Sequence, residues 1–324
     1  MRIDWRRWSV VLTFLLALAA LAIVVHVLRQ FTWAQIAASM ARLGPREIAG
    51  AVLCTIASYA TLTGFDWLGV AYGGGKVPYR RVALASFLSL SIGHTVGFAP
   101  LSSGAIRYRY YSEAALDMRQ VGLVVLLSAV TVMLGEATLA GLALLTQPSL
   151  AAKLLRLDSA ASAAIGMACL ALPTLYWVLA ATLRGPLRLH NWSFRLPGPR
   201  IAALQIGLGL LNYGLVTGAL YFVLSAVVAI DYRSVAAAYV LANLAALLTH
   251  VPGGLGVLEA VIVILLPGGD LIGPLIVFRI VYFLIPLAIG CLLLAGTELR
   301  QRLRSTKALR SAKVLRSPKA KFGP

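Results

Sequence analysis

His250-Val251-Pro252-Gly253-Gly254-Leu255-Gly256-Val257-Leu258-Glu259 interrupts an apolar segment that runs from Ser234 to Leu266. Proline lacks the N–H that a helix interior needs, and glycine is a poor helix former, so the stretch reads as a break followed by a new helix start. A second irregular segment lies in the first half of the chain. There Val82–Leu101 ends in a polar stretch containing glycine and proline, Gly93 to Gly104. Whether these two segments cross a membrane or turn back inside it decides the topology.

Around them the chain is a membrane protein. Of its 324 residues 60% are hydrophobic and 12% charged, with mean hydropathy +0.86. A soluble domain carries about 25% charged residues and buries fewer apolar ones, so water-soluble classes are excluded. Apolar segments run approximately Trp8–Leu28, Ile48–Tyr72, Val82–Leu101, Val121–Leu145, Ala161–Leu183, Ile201–Ile230, Ser234–Leu266 and Leu271–Leu294. The first follows a basic start (Arg2, Arg6, Arg7), and its length of about 20 residues suits an uncleaved helix better than a secretory signal. The expected fold is an all-α polytopic membrane protein with about eight apolar segments. Residues 1–299 form the membrane domain and 300–324 a basic cytoplasmic tail.

Loop charge then bears on topology, because cytoplasmic loops are enriched in Lys and Arg. If all eight segments cross from a cytoplasmic N-terminus, the inside loops 73–81, 146–160 and 230–233 hold six Lys and Arg. The outside loops 29–47, 102–120 and 184–200 then hold ten, which is the wrong bias. Making segments three and seven re-entrant reverses the totals and keeps the tail inside. The two irregular segments then enter from opposite faces, one per half, which is the pattern of an inverted repeat with a substrate site at the breaks. Eight plain spans remain the competing reading.

The net charge of +18 sits in loops and in the tail, where nine basic residues lie between Arg300 and Lys321. That distribution fits a membrane surface rather than a folded nucleic-acid module, so no nucleic-acid partner is expected. Cys54, Cys169 and Cys291 sit inside apolar runs as small buried hydrophobes. Nucleophile and metal-ligand motifs are absent, and no cofactor is expected. Gly73-Gly74-Gly75-Lys76 has Val77 where a phosphate loop needs Ser or Thr, and reads as a turn.

What remains is a short set of polar residues at membrane depth. Each charge there costs about 2.5–3.5 kcal/mol near the centre of a lone helix, so it faces a cavity or a partner. They are Asp66, Glu136, Glu259 and Arg279, with His94 and His250 beside the breaks. Arg279 lies about 12 Å into the last segment, near the midplane. For it and Glu259 the alternative to a substrate role is a buried pair that holds helices together. Ser102-Ser103-Gly104-Ala105-Ile106-Arg107-Tyr108-Arg109-Tyr110-Tyr111 is the densest polar cluster near the membrane. Arg107 would share a helical face with Tyr110 and Tyr111 and could grip a phosphate bidentately; close to water, it should be dispensable for folding. Arg109 aligns with Glu113 as a surface pair. The N–H groups freed at Gly253–Gly256 could bind an anion, or Glu259 could simply complement the helix dipole.

In order and spacing four stretches resemble one family. They are Phe65-Asp66, Gly104-Ala105-Ile106-Arg107-Tyr108-Arg109-Tyr110-Tyr111, Val251 to Glu259, and Arg279-Ile280-Val281-Tyr282-Phe283-Leu284-Ile285-Pro286. The chain is similar over about residues 5 to 300 to the transmembrane region of lysylphosphatidylglycerol synthases and their stand-alone relatives, the YbhN-like bacterial inner-membrane proteins. The resemblance implies a multi-pass inner-membrane protein that binds or flips a phospholipid or another lipid-linked anionic head group. Together with the reading of the residues themselves, it makes Asp66, His94, Arg107, Arg109, Tyr111, Glu259 and Arg279 the candidate substrate-binding residues. The chain ends about 30 residues after its last apolar segment, so the soluble synthase domain of the two-part members is not expected. Ser103 also stands where many relatives have a second glycine. An enzyme acting on lipid phosphates, or a membrane partner of a separately encoded lipid-modifying enzyme, are the alternatives.

Overall fold

The computed structural model describes residues 33–297 apart from 97–98, 150–151, 153–156, 184, 186, 190–191, 250 and 267, together with residues 15, 18, 22, 299 and 300. The first apolar segment, Trp8–Leu28, and the basic tail fall almost wholly outside the described residues, as does His250. The chain folds into α1 (Trp33–Ala41), α2 (Pro45–Tyr72), α3 (Tyr79–Val96), α4 (Ala99–Ser112), α5 (Met118–Thr146) and α6 (Ser159–Thr182). A short ribbon, β1 (Leu187–Leu189) with β2 (Trp192–Phe194), precedes α7 (Pro199–Ser225), α8 (Tyr232–Thr249), α9 (Val257–Leu265) and α10 (Ile272–Thr297). Six helices, α2, α5, α6, α7, α8 and α10, are long and apolar enough to cross a membrane. The protein is therefore an all-α polytopic membrane protein, with six such helices among the described residues where the sequence suggested about eight segments.

Local sequence sets the helix ends. Pro45 and Pro199 open α2 and α7 at positions where a missing N–H costs nothing. Asp117 and Gln120 form a reciprocal capping box at the start of α5, and the Asp158 carboxylate caps α6. Gly73–Gly75 close α2, with Gly74 at φ 72°.

Side-chain partners fix the directions. Along α2 and α7 a side chain at Gly50 would meet Phe222, one at Gly218 would meet Cys54, and Ser58 hydrogen-bonds Asn212. As numbers rise on one helix they fall on the other, so the pair is antiparallel. Helix α5 also runs against α2, because Gln120 Nε2 donates to Gly73 O at 3.0 Å and Ser128 reaches Asp66 at 2.9 Å. It runs parallel to α7, where Gln205 donates to Thr131 and Gly135 sits on Gly209. A Cβ added to Gly209 would lie 2.8 Å from Gly135 Cα. Small residues let the backbones approach in this way, which drives helix association where lipid supplies no hydrophobic force.

The two irregular segments are hairpins. Helices α3 and α4 pack together, and Arg81 at the start of α3 donates to the Glu113 carbonyl just beyond α4. The hairpin therefore enters and leaves at the end of the bundle that carries Gly73. Helices α8 and α9 pack likewise, and a Cβ added to Gly268, beyond α9, would lie 3.6 Å from Val228, just before α8. Because α7 is antiparallel to α2, this second hairpin opens at the other end, which carries Asp270. Its turn, Pro252–Gly254, packs against α3, so the hairpins meet inside the bundle. The order long helix, hairpin, long helix occurs as α2, α3–α4, α5 and again, upside down, as α7, α8–α9, α10. Eight plain spans do not fit this geometry, since neither hairpin delivers the chain to the opposite end.

Candidate functional site

One buried ion pair, a second that is partly buried, and one tyrosine-rich polar seam occupy the interior. The first pair lies toward the Gly73 end. Asp66, on α2, is fully buried and accepts from Arg107 Nε and Nη2, both at 2.8 Å. Tyr111 OH and Ser128 Oγ donate to the same carboxylate at 2.8 and 2.9 Å. Arg107 Nη1 donates to Ser103 Oγ at 2.8 Å. The pair binds the returning arm of the first hairpin, α4, to α2 and α5. Arg107 and Tyr111 reach one carboxylate because residues four apart share a helix face.

This corrects the expectation that Arg107 sits near water. The guanidinium is 3% exposed and bidentate on a protein carboxylate rather than open to solvent. Its location follows from the helical run of Ala99–Ser112, which carries it into the bundle. The surface position expected of Arg109 is also corrected. Arg109 is buried, with its guanidinium carbon 5.8 Å from the Tyr110 ring centroid. Residue His94 is helical, and its side chain lies outside the described residues.

The second pair lies toward the Asp270 end. Arg279 on α10 holds Glu259 with Nε and Nη2, the latter at 2.9 Å. Its Nη1 and Nη2 also donate to the carbonyls of Gly253 and Gly254, each at 2.8 Å. Glu259 in turn accepts the Gly256 N–H at 2.9 Å. Gly253, Gly254 and Gly256 have φ of 61°, 59° and 78°, a left-handed conformation that explains the glycines of the break. Glu259, which the sequence offered as the pairing partner of Arg279, is the carboxylate that it holds. The Gly256 N–H, a candidate anion donor, is taken by the protein itself.

Asp66, Arg107 and Tyr111 thus form one cluster and Glu259 and Arg279 another, at opposite ends of the bundle. Each pair ties the returning arm of a hairpin to a long helix of the same half. Helix rise puts Asp66 about 9 Å from the end of α2 and Arg279 about 10 Å from the start of α10, so the pairs are nearly symmetric in depth.

Between them lies a seam that the residue types hinted at only weakly. Ser58 Oγ meets Asn212 Oδ1 at 2.7 Å and Tyr282 OH at 2.8 Å, and Tyr59 OH donates to the Tyr282 carbonyl. Tyr213 packs at 6.4 Å from Tyr239, ring centroid to ring centroid. Glu136 on α5 accepts from Asn243 Nδ2 at 2.6 Å and from Tyr213 OH at 3.3 Å. Tyr282 sits in a π-helical turn, Ile280–Leu284, that interrupts α10; such turns recur at functional sites. Sequence reasoning marked Glu136 by its charge. Ser58, Asn212, Tyr213, Asn243 and Tyr282 escaped it, although Asn in an apolar helix is itself a signal.

The family model described as the lysylphosphatidylglycerol synthase TM region matches residues 10–290. An uncharacterised protein of Synechocystis, slr0712, is 28% identical over 298 residues, covering 91% of this chain and 92% of its own. The inner membrane protein YbhN of Escherichia coli is 26% identical over 305 residues, covering 92% of this chain and 95% of its own.

Proposed function

The chain belongs to the lysylphosphatidylglycerol synthase TM-region family, and from that premise we propose that it translocates a phospholipid, or another lipid with an anionic head group, across the inner membrane. The observation that carries this reading is the pair of helical hairpins entering from opposite ends and meeting inside the bundle. Irregular backbone at membrane depth is tolerated only where protein or a polar cavity covers it, and paired broken helices in inverted halves mark carriers. Rocking of one half against the other would expose the central seam to each side in turn. The two Arg–carboxylate pairs position the hairpins, and the polar seam between them takes the head group.

We read the protein as a carrier and not an enzyme, because Asp66 and Arg107, and Glu259 and Arg279, engage each other rather than standing as a reactive set. The membrane orientation belongs to the same proposal. Residues 73–81, 113–120 and 183–200 hold eight Lys and Arg, whereas 42–47, 147–158, 226–233 and 266–271 hold five. That excess makes the Gly73 end cytoplasmic and keeps both termini inside.

Purified protein in phosphatidylcholine vesicles containing a trace of fluorescent phosphatidylglycerol tests the reading. Dithionite added outside bleaches only outer-leaflet probe, so translocation appears as bleaching of the inner-leaflet pool. Protein-containing vesicles should lose that pool while protein-free vesicles keep it. Equal bleaching in the two would remove phosphatidylglycerol translocation as the function.

A further inference from the structure

Glu136 stands apart from the other interior carboxylates. Asp66 and Glu259 each hold a bidentate guanidinium, whereas the hydrogen-bond partners of Glu136 among the described residues are the neutral side chains of Asn243 and Tyr213. The carboxyl is 8% exposed. It lies about 15 Å from the end of α5, and Asn243 about 16 Å along α8, so both helices place it deep in the bilayer. An ionised carboxylate there has lost water without gaining a cation, a cost that favours the acid form against the two hydrogen bonds donated by Asn243 and Tyr213.

We propose that Glu136 is a proton-binding site, a carboxyl that takes up and releases one proton in mid-membrane and so couples lipid movement to a proton gradient. The coupling clause rests on the translocation reading above; the proton site does not. In the release step the carboxyl O–H bond breaks, its electron pair stays on oxygen, and the proton passes to water. The structure supplies a link to conformation because Asn243 belongs to the first arm of a hairpin. Beyond it on α8, Leu247, Leu248 and Thr249 are exposed. Movement of that hairpin withdraws Asn243 and opens Glu136 to solvent, which favours the ionised form; return of the hairpin requires the proton back.

Among the described residues, the helices around Glu136 carry the following charged and titratable groups. Tyr213 comes from α7, and α8 contributes Tyr239, whose ring packs beside it. Helix α10 brings Tyr282 and Arg279, the latter held by Glu259 and two backbone carbonyls. Tyr59 projects from α2, and Tyr176 from α6 is occupied with Gln205. On α4, Arg107 and Tyr111 are engaged with Asp66, which meets α5 at Ser128, eight residues away from Glu136.

Infrared difference spectra of the wild type and Glu136→Gln in vesicles test the site. Glutamine keeps an acceptor for Asn243 and nearly the same volume, so the variant should fold. At neutral pH the wild type should show the C=O band of a protonated carboxyl that shifts in deuterated water, and the variant should lack it. A missing band in the wild type, a band that persists in Glu136→Gln, or a band insensitive to deuterium would each overturn the proposal. In the fluorescent phosphatidylglycerol assay an imposed pH gradient should change the wild-type rate and leave Glu136→Gln unresponsive. An equal response of the two would overturn coupling. Failure of the wild type to move the probe at any pH would count against the proposed function and the coupling clause, while the infrared band still decides the proton site.

Discussion

Asp66 accepts four hydrogen bonds from three side chains, and that density predicts what its removal does. Losing Arg107 leaves a buried carboxylate with two hydroxyl donors in place of a guanidinium, a loss of about 3–5 kcal/mol for a broken buried pair. Arg107→Ala should therefore melt well below wild type in detergent, contrary to what its position beside a loop suggests. The double variant Asp66→Asn, Arg107→Gln should recover much of that loss, since no charge is left unpaired. Arg279→Lys is a finer test. The ammonium keeps the charge but cannot hold Glu259 bidentately while also reaching the Gly253 and Gly254 carbonyls. It should melt between the wild type and Arg279→Ala, and a melting curve identical to wild type would mean that the fork is not used.

Two element-scale features separate backbone geometry from charge. At the α5–α7 crossing a Cβ on Gly209 would approach backbone, which cannot swing aside, so Gly209→Ala should cost about 1–3 kcal/mol. Gly207→Ala and Gly122→Ala, where a Cβ meets nothing within 4 Å, should be neutral or slightly stabilising in the same melts. In the turn of the second hairpin, Gly256→Ala should cost about 1–2 kcal/mol through its left-handed φ alone. Gly254→Ala should cost more, because its Cβ would also lie 2.9 Å from Ala246 Cβ. These elements also show what was legible in the sequence. Pro252-Gly253-Gly254 announced its break outright, since few other residues adopt those angles. The first hairpin was harder to read. The glycine and proline of Gly93–Gly104 marked a break there, but the helix continues through Ser102, Ser103 and Gly104, which read as loop residues, because packing against α3 and α5 overrides their weak propensity.

For the whole molecule, charge at membrane depth singled out Asp66, Glu136, Glu259 and Arg279, and each has a side-chain partner on another helix. It could not say which carboxylate meets which guanidinium, because partners on α2 and α4, or on α9 and α10, are joined only by the fold. The uncharged members of the seam were invisible for a related reason: Tyr213 and Tyr282 pass for core aromatics until their hydroxyls find partners. Topology is where loop charge and side-chain contacts converge, and it yields the sharpest prediction. With Cys54, Cys169 and Cys291 replaced, single cysteines at Lys76, Glu113 and Arg195 should all react with an impermeant maleimide from the same side. Cysteines at Arg233 and Asp270 should react only from the other. Eight plain spans would put Glu113 opposite Lys76, and Asp270 opposite Arg233, so each pair discriminates alone. If Lys76 and Glu113 label from one side but Arg233 and Asp270 from different sides, only the first hairpin is re-entrant. The inverted repeat, and the alternating exposure drawn from it, would then fall together.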